Sequence, residues 1–217
     1  MLVISLTSIP PRYGQLPRVL AGLLAQGADR VVLVIPHHPH RFRPAPLPAL
    51  PAGAVVLETQ GDLGPAGKLL TAALAYPDAD ILYCDDDWLY EPGWANAFTV
   101  ERKPLGSATV TAGSSWPSER IGRQGGTIVQ GYAGVCVAAK HALRIPPPPA
   151  EAWAVDDIWL SGWFAGLGLT VTGAPGARAL CTPLASPGAL QDGIDRNMAN
   201  RATAGLIHDR FGIWPVV

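Results

Sequence analysis

The sequence predicts an α/β domain whose core is a mostly parallel sheet with helices on both faces, joined to a half richer in antiparallel strands. Three observations carry this. Continuous apolar and β-branched runs recur at 2–6, 30–36 and 80–84, as strands buried on both faces require. Helical patterns at 15–26 and 64–76 separate them. Gly (24) and Pro (22) make up a fifth of the 217 residues, yet they lie between the runs as turn punctuation and form no repeat.

The elements follow in order. Run 2–6 is a strand, the turn Ile9-Pro10-Pro11 ends it, and helix 15–26 completes a β-α pair. Run 30–36 is a second buried strand, 36–51 a Pro-rich loop and 54–58 a third strand. Segment 64–76 (GPAGKLLTAALAY) opens with turn chemistry and a Pro near the first turn, continues as an Ala/Leu helix, and leads into strand 80–84. Strands separated by helices imply parallel pairing, with ligands at the C-terminal strand ends, which draws attention to residues 7–12, 62–68 and 85–87. From 107 to 139 short β-like runs broken by Gly and Trp suit antiparallel strands; a helix at 156–167, a strand at 169–172 and a helix at 195–211 follow.

Composition narrows the function. Apolar residues reach 48% and charged ones 15%, against roughly 25% in soluble domains, which argues against disorder. No charge run or Ser/Gly linker divides the chain, so a single domain spanning 1–217 is expected. A net charge of -1 with three lysines disfavours nucleic acid, whose backbone needs a basic face. Cys84, Cys136 and Cys181 are odd in number and lack C-x-x-C spacing, against both a disulfide framework and a structural zinc site, and in favour of a reducing compartment. The N-terminus has no basic region and meets polar Thr7 and Ser8 too soon for a secretory signal. Segment 158–177 is uncharged and contains Gly162-x-x-x-Gly166, but its apolar part stops near Leu169, so it reads as a buried helix followed by a strand and not as a membrane span.

Five of the twelve aspartates fall in two clusters, Asp85-Asp86-Asp87 and Asp156-Asp157. Acidic residues after a strand can form a solvated turn or a helix N-cap. Three adjacent carboxylates repel one another unless neutralised, however, and hard oxygen donors select Mg²⁺, Mn²⁺ or Ca²⁺ as counter-charge. Mg²⁺-type sites usually combine one or two protein carboxylates with substrate phosphates, so a metal-bound diphosphate follows.

An apolar strand ending in Cys84-Asp85-Asp86-Asp87-Trp88 resembles the Asp-x-Asp motif of metal-dependent glycosyltransferases of the GT-A fold. The resemblance extends to Thr7-Ser8-Ile9-Pro10-Pro11-Arg12, to Asp62-x-Gly64-Pro65-x-x-Lys68 and to the acidic pair opening the later helix. It implies a GT-A-like single domain, with a Rossmann-like β-α-β half and mixed sheet at 1–103 for nucleotide and metal, and an antiparallel acceptor-side half at 104–217. By the same resemblance Asp87 and Asp85 bind Mn²⁺ or Mg²⁺, and Thr7, Arg12, Asp62, Lys68, Asp85, Asp86 and Gly134 face the nucleotide sugar. Gly134 belongs to Gly131-Tyr132-Ala133-Gly134, which resembles the small-residue strand beside the donor sugar; a tight turn is the other reading. His208 stands where some relatives complete the metal shell, although a lone helical His is more often structural.

Lys68 lies near a helix start, where backbone N–H groups favour anions. A P-loop is excluded because Asp62 and Leu69 occupy positions that need Gly and Ser or Thr. Asp156 and Asp157 complement a helix dipole, or one of them, Asp157 by preference, is the general base for an acceptor hydroxyl while its neighbour binds acceptor hydroxyls. Trp88, Trp153 and Trp159 flank the acidic residues and offer faces for sugar rings; Trp116, Trp163 and Trp214 read as core or rim. The group His37-His38-x-His40 lacks a partner cluster for a metal.

The expected function is therefore divalent-metal-dependent sugar transfer from a nucleotide-diphosphate donor, UDP-sugar favoured, to a glycan or other hydroxyl acceptor. A non-catalytic nucleotide or glycan-binding module is the alternative, and a sugar nucleotidylyltransferase a weaker one, since a Gly-rich phosphate loop is missing from 7–15. A cytoplasmic location is expected, with Arg12, Arg18, Arg41 and Arg43 available for peripheral contact with the inner face of a membrane.

Overall fold

In the computed structural model, which describes residues 1–102, 106–190, 193 and 195–217, the N-terminal run forms β1 (Leu2–Thr7) near the middle of a seven-stranded sheet. β2 (Arg30–Pro36) and β3 (Ala54–Thr59) extend it on one side, and β4 (Asp80–Tyr83) pairs on the other, all parallel. Side chains alternate between two cores. Val3, Val32 and Ile81 pack in one, while Ile4, Leu33 and Leu82 pack in the other, and this is why the runs are apolar without alternation.

Helices cover both faces, as expected. α1 (Leu16–Leu24) buries Leu16, Val19, Leu20 and Leu23, a helical stripe against one face. α2 (Gly67–Ala75) buries Leu69, Leu70, Ala72 and Ala73 against the other. α1 starts one residue after its sequence pattern and α2 about one turn after, and each is preceded by a 3-10 turn, Pro10–Gln15 and Gly64–Ala66, with Pro in the first turn.

Beyond β4 the connectivity changes. β5 (Trp88–Tyr90) leaves the sheet and α3 (Trp94–Arg102) follows, inserting Trp94 and Phe98 into the core. β6 (Thr109–Ala112) returns, β7 (Ser115–Pro117) and β8 (Thr127–Val129) form a separate antiparallel pair, and β9 (Val135–Ala138) runs antiparallel between β4 and β6. After the short α4 (Ala139–Ala142) and the Pro-rich 146–149 run comes α5 (Asp156–Gly166), then β10 (Thr170–Gly173), parallel to β6 at the sheet edge. α6 (Pro175–Ala179) leads to β11 (Cys181–Pro183), which pairs with β5, and α7 (Arg196–Phe211) closes the chain, capped by Asp195. The strand order β10-β6-β9-β4-β1-β2-β3 is thus parallel apart from β9 and continuous across both halves of the sequence. The expected boundary between the halves, at 103 and 104, lies outside the described residues.

The Gly162-x-x-x-Gly166 pattern works inside the protein. A Cβ on Gly162 would lie 2.4 Å from Ile207, and one on Gly166 2.6 Å from Phe211, so the two glycines form the seam on which α7 packs against α5. Among the described residues no helix is long and apolar enough to cross a membrane.

Candidate functional site

A cavity of about 480 Å³ opens at the C-terminal ends of the parallel strands, lined by the segments after β1, β2 and β4, by the start of α5 and by the stretch 183–190 after β11. The turn Asp85–Asp87 forms its floor. The Tyr90 hydroxyl holds that turn, accepting from the Asp85 N–H at 3.1 Å and lying 2.9 Å from the Asp85 carbonyl. Gln15 Nε2 donates to the Asp86 carbonyl at 3.0 Å and the Leu184 N–H to the Asp87 carbonyl at 2.8 Å.

With its backbone fixed, the turn splays its three carboxylates. Asp85 Oδ1 accepts from Lys68 Nζ at 2.8 Å. Asp86 turns inward: it is 2% exposed and its carboxylate is held by the Ser8 hydroxyl and by Arg12 NH1, the latter at 2.6 Å. Asp87 Oδ2 accepts from Ser186 Oγ at 2.6 Å and lies 3.2 Å from Arg12 NH1. Burial raises the Asp86 carboxyl above the usual range, although Arg12 and Ser8 pull it back.

Asp156 and Asp157 open α5 opposite this turn. Asp156 Oδ2 accepts from the same Lys68 Nζ at 2.8 Å, so one ammonium bridges the two acidic clusters. Lys68 is 2% exposed; burial alone would lower its pKa, but Asp156, Asp85 and Asp157 outweigh it and the ammonium stays charged. Asp157 Oδ1 accepts from the Gly131 N–H at 3.1 Å. Burial, then the charge of Asp156, pushes the Asp157 carboxyl up to about 8, against the opposing pull of Lys68.

Around this acidic centre the walls are aromatic and cationic. Trp88 stacks on Tyr132 with ring centroids 4.5 Å apart, and the Arg178 guanidinium lies 5.0 Å from the Trp88 ring. Trp153 donates its indole N–H to the Asp62 carbonyl at 3.0 Å. Arg41 and Arg196 also line the cavity, Arg41 donating to the Ala189 carbonyl at 3.2 Å.

Among solved structures, the chain is similar to the mannosyltransferase PcManGT from Pyrobaculum calidifontis in complex with GDP-Man and Mn²⁺: TM-score 0.56, 13% identity, 96% of this chain and 73% of that one covered. HddC from Yersinia pseudotuberculosis complexed with GMP-PN is a looser match, with TM-score 0.42 and 14% identity over 67% of this chain and 79% of that one, too distant to bear on the fold. No protein-family model matches the sequence, and no curated protein matches it. The chain has a GT-A-like fold.

On this GT-A-like frame the expected site residues separate into groups. Thr7, Arg12, Asp62, Lys68, Asp85, Asp86, Asp87, Asp156 and Asp157 all line the one cavity. Several are occupied by the protein itself. Thr7 Oγ1 donates to the Val34 carbonyl at 2.8 Å, and the Asp62 oxygens accept from the His40 and Gly64 N–H groups, each at 2.8 Å.

Gly134 is not at the cavity. It is buried with φ 93°, and a Cβ there would meet Trp94 at 2.5 Å and Phe98 at 2.8 Å, so the missing side chain makes room for core rings. The glycine of this segment that approaches the acidic centre is Gly131, where a Cβ would lie 3.0 Å from Lys68 Nζ and 3.2 Å from Asp85 Oδ1. His208 is likewise elsewhere: its Nδ1 lies 2.8 Å from the Ile213 carbonyl at the C-terminus of α7, and it does not line the cavity. Trp159 is core, donating to the Pro146 carbonyl at 3.2 Å, as are Trp163 and Trp214. Of the arginines considered for lipid contact, Arg12 and Arg41 face the cavity.

Among the described residues no three His, Cys, Asp or Glu side chains form a ready metal cage. The donor set nonetheless fits a hard divalent cation. Four of the five clustered carboxylates, Asp85, Asp86, Asp87 and Asp156, lie within ion-pair distance of two cations, Lys68 and Arg12, which leaves a negative surplus. Asp85 Oδ2 and Asp87 Oδ1 accept no hydrogen bond from the described residues, so each carboxylate retains one free hard-oxygen donor.

Proposed function

We propose that this protein is a divalent-metal-dependent glycosyltransferase that moves a sugar from a nucleotide diphosphate to an acceptor hydroxyl. The observation that carries the reading is the meeting, in one cavity at the strand ends, of Asp85 and Asp87, each with a free oxygen, and of Asp157, whose raised pKa suits a base near neutral pH. The similarity to a mannosyltransferase structure holding GDP-Man and Mn²⁺ supports it at the level of fold.

Asp85 and Asp87 would hold Mn²⁺ or Mg²⁺ through their free oxygens. Such an ion, when bound, supplies Lewis-acid stabilisation of a departing diphosphate. The chain's own residues do the rest. Asp157, oriented by the Gly131 N–H, takes the proton of the acceptor hydroxyl. Trp88 and Tyr132 form a wall on which a sugar ring can lie, and Arg41 and Arg196 add cationic surface for the diphosphate.

Calorimetric titration of UDP and of GDP, each with Mn²⁺ and with EDTA, tests the reading on wild type and Asp87→Ala. Nucleotide binding that Mn²⁺ tightens well beyond its strength in EDTA, with that gain lost in the variant, supports it and identifies the nucleotide base. Turnover separates an enzyme from a binding module: Asp157→Asn keeps nucleotide affinity while transfer drops on the order of 10²- to 10⁴-fold. Absence of nucleotide binding in the wild type under every condition would sink the proposal.

A further inference from the structure

We infer that Lys68 is the positioning residue of this site: its buried ammonium clamps Asp85, at the end of β4, to Asp156 on α5, and so fixes the orientation in which Asp85 meets a divalent cation. This rests on the reading of the cavity as a metal and nucleotide site, and it replaces the phosphate-binding role that the sequence suggests for this lysine.

The geometry leaves Lys68 little else to do. Two of its three N–H donors go to carboxylates at 2.8 Å, belonging to residues 17 and 88 positions away in the chain. The backbone of Gly131 closes in so tightly that a Cβ there would stand 3.0 Å from Nζ. With 3% of its side chain exposed, the lysine has no open approach for a phosphate oxygen, which would have to displace Asp85 or Asp156 to reach it. Asp85, by contrast, keeps a third of its side chain exposed, and its Oδ2 accepts no hydrogen bond from the described residues. Lys68 therefore takes one oxygen of Asp85 and leaves the other directed to the cavity. Groups that orient a metal-binding side chain typically change metal affinity about 10- to 100-fold when removed.

Charge and position can be separated. Removing Lys68 alone takes a positive charge away from beside the cation site, which by lessening Coulomb repulsion would tighten cation binding. Lys68→Met combined with Asp156→Asn removes one charge of each sign, preserves the local balance and deletes the clamp. Two affinities are read on this double variant, after thermal unfolding confirms that it is folded: that of UDP and GDP in EDTA by calorimetry, and that of Mn²⁺ for the nucleotide-saturated protein by loss of the free Mn²⁺ electron paramagnetic resonance signal. The expected result is a nucleotide affinity in EDTA within about threefold of wild type and a Mn²⁺ affinity lower by about tenfold or more. If the double variant does not fold, Gly131→Ala crowds the clamp without altering any charge and is held to the same pair of readings. Nucleotide affinity in EDTA falling about tenfold would make Lys68 a direct phosphate ligand and overturn the inference; both affinities unmoved would reduce the bridge to a core ion pair and overturn it equally. Failure of the unsubstituted protein to bind Mn²⁺ with either nucleotide overturns the parent reading, and this inference with it, and is distinguished by appearing before any substitution is made.

Discussion

Lys68 and Arg12 are both cations held by aspartates of one turn, yet their surroundings differ. Lys68, on α2, lies in the interior, and its partners come from the turn after β4 and from the first turn of α5. Arg12 lies at the cavity wall with 14% of its side chain exposed, and besides Asp86 and Asp87 it donates to the Ser186 hydroxyl at 2.7 Å and the Pro187 carbonyl at 3.2 Å, both on an irregular segment. The interior pair is framework, because losing either partner leaves an uncompensated buried charge. The outer set is mixed: Asp86 is as buried as Lys68, whereas the contacts of Arg12 and Asp87 with the 186–187 segment are ones that water or a ligand can replace.

The largest effect that would break this contrast is on stability. Lys68→Met strands Asp85 and Asp156 and should cost about 3–5 kcal/mol, which at roughly 2–4 °C per kcal/mol for a chain of this size lowers Tm by about 6–20 °C in a thermal scan. A shift of only a few degrees would show that the clamp is dispensable to the framework.

Asp157→Asn sharpens the contrast in the opposite direction. The folded state holds the Asp157 proton up to about pH 8, whereas an unfolded chain releases it near an ordinary aspartate pKa. Unfolding therefore releases a proton across this window, and the Asp157 contribution destabilises the fold increasingly as pH rises from about 4 to 8. Asn keeps an acceptor for the Gly131 N–H and removes the charge. The variant should melt at the wild-type temperature near pH 4 and several degrees higher near pH 8, an effect of roughly 1–3 kcal/mol because the carboxyl retains some solvent contact. Tm differences that do not grow with pH would contradict the assigned environment.

The smallest effect belongs to the outer set. Ser186→Ala deletes the hydroxyl between Arg12 and Asp87 and should cost about 0.5–1 kcal/mol at most, read as a small shift in denaturant midpoint. A loss comparable to that of Lys68→Met would make the 183–190 segment part of the framework.

The sheet is legible in the sequence because strands buried on both faces leave unbroken apolar runs, and the acidic clusters stand out because the rest of the chain is poor in charge. α3 is not: Trp94 and Phe98 are four residues apart, but no acidic first turn marks its start. Lys68 reads as an anion binder from its place at a helix start, and only its burial between Asp85 and Asp156 reveals otherwise. Gly131 and Gly134 are three residues apart on one tight turn, and which of them meets the site depends on where Trp94 and Phe98 pack. Ser186, Gln15 and Arg196 carry no sequence signal, since their roles come from long-range contacts or placement at the cavity.

The hydrogen bond from Ser186 to Asp87 joins residues 99 positions apart, and β11 reaches back to β5 over a similar distance. Closing so long a loop is entropically slow compared with pairing neighbours. On the ribosome, then, the parallel core can be assembled while the acidic turn still lacks one wall. The cavity is a late product of synthesis, completed only after residues 183–190 have emerged.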